Sequence, residues 1–337
     1  MTEAPDVEIA PPGPIVHDAM LGFEDLIKLG VFNGQVNEQL YNPPGGVKDA
    51  KLFEVSFSEA CRCNVSDEDI LKQVDTNIRR GLPQVRPYAI NPHTAVLICG
   101  GPSLEMTKQE LIETCWRKDC KVFTVNGAFE WCIKNNIKPG AVMMIDAREF
   151  NARFVEKEVP DCKYLLAAQC HPKAFDICRG RDIFIWHALS ACDAEVELLK
   201  EFYHGHFWPI SHGTTIGVRA ISLLQMLGFY SIEIFGLDSC WFDSRHHSYP
   251  QDENQADGDI ITWLKPEGRP DLARSFVCSP WMMKQAMDFQ QLLLDKSELF
   301  RLNVHGPGLI AEILRTGAQL EPPSTGLTHR TFHNTNS

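Results

Sequence analysis

The apolar and polar positions of this chain fall into two regimes. Up to about residue 92 the pattern is broken. Met1 to Pro14 is acidic and Pro-rich and predicts an extended arm. His17 to Leu29 has helical spacing, and Lys51 to Ser58 alternates like a short strand. Ser66, followed by Asp67, Glu68 and Asp69, marks a capped helix start, with the helix running to about Arg80 before Gly81 and Pro83 end it. From His93 the pattern changes to short, continuous apolar runs separated by amphipathic ones. The runs Thr94–Cys99, Lys121–Val125, Ala141–Ile145, Tyr164–Ala168, Asp182–Trp186, Ser231–Phe235 and Phe300–Val304 predict buried strands. Between them, Leu104–Trp116, Ala128–Asn135, Cys192–Tyr203, Thr215–Leu227, Pro280–Leu294 and Leu309–Arg315 predict helices. Strands alternating with helices predict an α/β fold, a doubly wound, mostly parallel sheet of Rossmann type. The expected organisation is an arm and small accessory segment over 1–92, a nucleotide-binding domain over 93–317, and a flexible tail over 318–337. Phe242 to Cys278 is polar and rich in Pro, Gly and Asp, and is expected to be an irregular lid or insertion.

In such a sheet ligands bind beyond the carboxyl ends of the strands, so the turns there carry the candidate chemistry. The first is Gly100-Gly101-Pro102-Ser103. Two glycines allow close backbone approach, and the helix start offers N–H groups and a dipole to a phosphate; the alternative is a tight turn with no ligand. It is neither G-x-G-x-x-G nor a Walker A loop, which argues against an NAD-dependent oxidoreductase and a P-loop enzyme. Asn126 can contact a base or ribose, or cap the next helix. Asp146 can hold a metal, or pair with Arg148, which is also a candidate for a phosphate. Gly213, Thr214 and Thr215 form a second helix start that can take an anion or merely cap. Asp238 ends a strand in position for a metal or a hydroxyl. Beyond it, His246 or His247 can act as a general base and Arg245 as a phosphate clamp, against the alternative of two solvated loop histidines.

Composition narrows the partners. A net charge of −12 argues against binding to nucleic-acid backbones, which need clustered Lys and Arg. No apolar run approaches the roughly 20 residues of a membrane helix. Most of the twelve cysteines sit in apolar segments, and Cys61 and Cys63 lack a second pair at zinc-ligand spacing. Reduced, buried thiols fit a cytoplasmic protein acting on small molecules, with homo-oligomerisation left open.

Several motifs in order resemble one family. They are Ile98-Cys-Gly-Gly-Pro-Ser-Leu104, Phe123-Thr-Val-Asn-Gly-Ala-Phe-Glu130, Asn136 through Asp146, Gly213 through Phe229, and Ile232-Glu-Ile-Phe-Gly-Leu-Asp238. Together they resemble the MptE-like group, which comprises 6-hydroxymethylpterin diphosphokinases and motility accessory factors, and is related to bacterial CMP-sugar sialyltransferases. The resemblance covers about Thr94 to Leu314. It implies a nucleotide donor at Gly100, Gly101, Pro102 and Ser103, with Asn126 near the nucleotide and Thr214 and Thr215 near its phosphates. It also implies a general base at His247 or His246. The expected function is a nucleotide-dependent transferase, diphosphokinase-like, passing pyrophosphate from ATP to a hydroxyl, with Asp146 and Asp238 holding Mg²⁺. The alternatives are a glycosyltransferase using a CMP-activated or other nucleotide sugar, and a non-catalytic nucleotide-binding accessory protein.

Overall fold

The computed structural model describes residues 65–189, 193–210, 213–242, 245–251, 260–264, 273–295, 300–318 and 320. The expected arm, the helix over 17–29, the strand over 51–58, the pair Cys61 and Cys63, and the tail beyond residue 320 lie outside them.

Eight parallel strands build the main sheet: β1 (Asn91–Ile98), β2 (Cys120–Val125), β3 (Ala141–Met144), β4 (Lys163–Ala167), β5 (Asp182–Ala188), β6 (Pro209–Ile210), β7 (Phe229–Phe235) and β10 (Arg301–His305). Their order is β10-β7-β1-β2-β3-β4-β5-β6. The chain therefore winds outward from β1 to β6, then returns to lay β7 on the other side of β1. The order reverses between β1 and β7, and that reversal opens the crevice where doubly wound sheets bind ligands. The fold is the expected α/β one.

Successive residues of β1 point to opposite faces and supply two cores. Ala95, Leu97 and Cys99 join the larger core, while Val96 and Ile98 join a smaller one with Leu104, Leu111 and Trp131. Leu104 and Leu111 lie on α2 (Ser103–Cys115), and Trp131 on α3 (Ala128–Lys134). On the other face, α6 (Ile216–Met226) buries Val218, Ile221 and Leu224 in the larger core. Helices α4 (Pro172–Ile177) and α5 (Asp193–Phe202) cross back between outer strands.

Two features go beyond the sequence pattern. First, residues just before 93 pack into the same body as those after it. Helix α1 (Asp67–Ile78) is capped by Ser66, whose hydroxyl accepts from the Asp69 N–H, and its Ile70, Val74 and Ile78 lie in the larger core. Buried Asn77 donates to the carbonyls of Ala168 and Cys170 at 2.9 and 2.7 Å, tying α1 to the end of β4. Second, the stretch expected to be irregular carries an antiparallel pair, β8 (Ile260–Leu264) and β9 (Arg274–Cys278). It leads into α7 (Pro280–Asp295). After β10, α8 (Leu309–Thr316) ends at Gly317, whose φ of 65° suits a residue without a Cβ. Among the described residues no helix is long and apolar enough to cross a membrane. The described cysteines are buried, and none forms a disulfide with another described residue.

Candidate functional site

A cavity of about 440 Å³ lies beyond the carboxyl ends of β1, β2, β3 and β7, at the reversal in strand order. Its walls include Gly100 and Gly101 after β1, Asn126 after β2, Asp146 and Arg148 after β3, and Asp238 after β7.

Most amides of the turn after β1 are already bonded within the protein, while the Gly100 N–H has no described acceptor and Gly100 lines the cavity. The Gly101 N–H donates to the Gly236 carbonyl at 2.7 Å, and the Ser103 N–H to Asp238 Oδ2 at 2.8 Å. Pro102 has no N–H, and Leu104 donates back to the Gly101 carbonyl at 3.2 Å. Ser103 is fully buried, and neither it nor Pro102 lines the cavity. The geometry narrows the phosphate seat expected over Gly100–Ser103: the Gly101 and Ser103 amides are engaged by the protein, and only Gly100 and Gly101 reach the cavity. A carboxylate of the protein occupies the start of α2.

The glycines there admit protein groups. A Cβ on Gly100 would lie 2.7 Å from His247 Cδ2 and against the Tyr249 hydroxyl; one on Gly127 would lie 2.6 Å from Tyr249 Cε2. Residues 245–251 thus strap across the strand ends. Ser248 fastens them, its N–H donating to the Gly100 carbonyl at 2.9 Å and its hydroxyl to that of Gly101 at 2.6 Å. The histidines are not solvated. His246 is 5% exposed and sits 4.9 Å from the Trp241 ring and 4.5 Å from His247. Burial holds His247 down at about 3, so its imidazole is neutral. Arg245 is exposed and lies outside the main cavity, in a smaller pocket beside it.

The second helix start differs from the first. Thr215 precedes α6 but makes no side-chain cap, and no described residue accepts from the N–H groups of Ile216, Gly217 or Val218. Ile216 and Gly217 line the cavity with Thr214 and Thr215; Gly213 does not. Thr214 is held by Asp288, to which its N–H and hydroxyl both donate at 2.8 Å, and Thr215 accepts from Gln285 Nε2 at 2.5 Å. An uncapped helix start facing a cavity suits an anion.

Asp146 and Arg148 form the ion pair that was the alternative to metal binding. Arg148 Nε meets Asp146 Oδ1 at 3.0 Å and Nη2 meets Oδ2 at 2.6 Å, both side chains lining the cavity. Asp238 is 3% exposed with Oδ2 committed to Ser103. Burial pushes its carboxyl up to about 6, against the pull of the Ser103 hydrogen bonds. Among the described residues no three His, Cys, Asp or Glu groups gather to hold a cation. One carboxylate bound to a guanidinium and one bound to an amide do not fit the Mg²⁺ ligand set expected of them.

What marks this cavity chemically is unpartnered polarity. Among the described residues, four buried side-chain atoms of its lining have no hydrogen-bond partner: Asn126 Oδ1, Asp238 Oδ1, His247 Nδ1 and Trp281 Nε1. Buried polar groups are almost always paired, so four orphans around one space imply partners from a ligand or water. Asn126, at φ 43°, does not cap α3, which has no side-chain cap. Sequence reasoning missed Trp281, Gln285, Gln169 and Tyr249. They come from segments whose pattern reads as ordinary core or loop, and only tertiary packing brings them here.

A family model described as 6-hydroxymethylpterin diphosphokinase MptE-like matches residues 68–244, just over half the chain. No curated protein matches. Among solved structures, the MAf glycosyltransferase from Magnetospirillum magneticum AMB-1 superposes with a TM-score of 0.56 at 15% identity, over 77% of this chain and 39% of that one. A mammalian sialyltransferase in complex with Gal-beta-1-3GalNAc-ortho-nitrophenol gives a TM-score of 0.31 at 11% identity, over 58% of this chain and 81% of that one. At these identities the first likeness speaks for the fold alone, and the second carries no weight. This chain spans well under half the length of the MAf protein.

Proposed function

Because the chain belongs to the MptE-like family, we propose that its cavity binds a nucleotide donor and that the protein transfers a group from it to an acceptor hydroxyl. The observation that carries this reading is the set of unpartnered polar atoms at the reversal in strand order, opposite the uncapped start of α6. The phosphate of the donor sits on the amides of Ile216, Gly217 and Val218. Asn126 and Asp238 accept from the rest of the nucleotide. His247 is neutral and its Nδ1 is unpartnered, so it accepts the proton of the attacking hydroxyl. Burial alone leaves its basicity weak. A phosphate bound nearby favours the imidazolium and raises it.

The donor set favours glycosyl transfer from a nucleotide sugar. Among the described residues of the cavity wall Arg148 is the one Lys or Arg, and it is already paired with Asp146, whereas a triphosphate needs its charge offset by metal or by free cations. The family description favours the second reading, pyrophosphoryl transfer from ATP.

A thermal-shift screen of nucleotides and nucleotide sugars, with and without Mg²⁺, tests binding, and release of the free nucleotide in the presence of hydroxyl acceptors tests turnover. His247→Ala is expected to keep the shift and lose turnover by at least about 100-fold. Binding without turnover for every donor would favour the accessory-protein alternative. The absence of any shift would remove the proposal.

A further inference from the structure

Asp238 is buried, lines the cavity, and makes no ion pair with any described residue. Leaving a carboxylate in that state works against folding, so its placement calls for a reason. The surrounding chain is shaped to keep it there. A Cβ on Gly101 would strike the carboxylate and come within 2.6 Å of the Gly236 carbonyl. One on Gly308 would lie 2.7 Å from Asp238 Cα and 2.8 Å from Oδ1. With Oδ2 fixed by the Ser103 amide, Oδ1 is held rigidly and has no partner.

An orphaned carboxylate oxygen repels phosphate and accepts from O–H or N–H. It also lies close to where the phosphate would sit. The first turn of α6 packs on Leu237, the residue before Asp238: a Cβ on Gly217 would contact Leu237 Cδ1 at 2.5 Å and lie 3.5 Å from Cys99 Sγ. In a nucleotide, the donor-rich group directly attached to the phosphate is the ribose. We infer that Asp238 Oδ1 accepts a hydrogen bond from a ribose hydroxyl of the bound nucleotide and sets a preference for ribonucleotides over their deoxy counterparts. This rests on the nucleotide reading of the cavity and replaces the metal role for this residue. A site built around a hydroxyl strongly rejects the analogue lacking it, because its own buried group is then left unpaired.

Calorimetric titration of the full chain with AMP, CMP, GMP and UMP, and with the 2′-deoxy and 3′-deoxy form of each, tests the inference. Wild type is expected to bind at least one ribonucleotide about 10-fold or more tighter than one of its deoxy forms. Asp238→Asn keeps an acceptor for Ser103 and replaces Oδ1 by a donor, so it is expected to erase that difference by weakening the ribonucleotide alone. Equal binding of ribo and deoxy forms by wild type overturns the inference, as does discrimination that survives in Asp238→Asn. Equal loss of both forms in a folded Asp238→Asn assigns the carboxylate to shaping the cavity and also overturns it. Failure of wild type to bind any of the four ribonucleotides would instead strike the nucleotide reading itself.

Discussion

Burying the Asp238 carboxylate opposes folding, and the sign of that effect is testable. Its folded value of about 6 lies above the ordinary 3.8, so the folded state holds the proton more tightly than the unfolded one. Below about 4 the group is protonated in both states and costs nothing. As pH rises through 6, stability is lost, to a total on the order of 3 kcal/mol for a shift of this size. Asp238→Asn does not titrate. Denaturant unfolding is therefore expected to show the variant more stable than wild type at pH 7.5, with the gain vanishing as pH falls from 6 to 4. A constant difference across that range would mean that burial of the charge is not its source. At this scale the sequence was a partial guide. It marked Asp238, Asn126, Thr214, Thr215, His246 and His247 as strand-end or loop chemistry, and all of these line the cavity. It was less clear at Gly100–Ser103, because glycines announce a close approach without saying what approaches; here Tyr249, His247 and Asp238 come close to Gly100 and Gly101.

Among the elements, the strap over residues 245–251 depends on glycines in two different turns. Gly127 has φ −65° and ψ −14°, a backbone that alanine adopts without strain, and the atoms nearest a methyl there all belong to the Tyr249 side chain. Gly127→Ala is expected to loosen the strap, raise proteolysis between Arg245 and Gln251, and weaken nucleotide binding. Adding Tyr249→Ala should restore the protection of the rest of the cavity, because the clash is then gone. Helix α1 makes a second prediction. Ile70 is 1% exposed within the shared core, so Ile70→Ala is expected to cost about 2–5 kcal/mol in urea unfolding and a chain beginning at residue 93 to fail to fold. An independent accessory segment would tolerate both changes. Most of the alternation of strands and helices was legible, since buried parallel strands are continuous apolar runs, but the short helix α4 was not. The hairpin of β8 and β9 was not, because Pro, Gly and Asp in the surrounding stretch outweigh two five-residue strands. The membership of α1 was also hidden. It depends on Asn77 reaching the carbonyls of Ala168 and Cys170, about ninety residues later.

For the whole molecule, the winding of the sheet does most to locate function. The chain leaves β1 in one direction and returns to its other side at β7, so the turns after these two strands must face each other across a crevice. The uncapped start of α6 comes to that crevice because α6 is the crossover that brings the chain back. The charge of the whole chain says little here, since in the proposed binding mode local amides rather than a basic surface would receive the phosphate. The most direct measurement is a crystal structure of the protein with a bound nucleoside monophosphate or nucleotide sugar. The account predicts its phosphate on the amides of Ile216, Gly217 and Val218, with the ribose beside Asp238. A nucleotide bound outside this cavity, or with its phosphate on the turn at Gly101–Ser103, would contradict it.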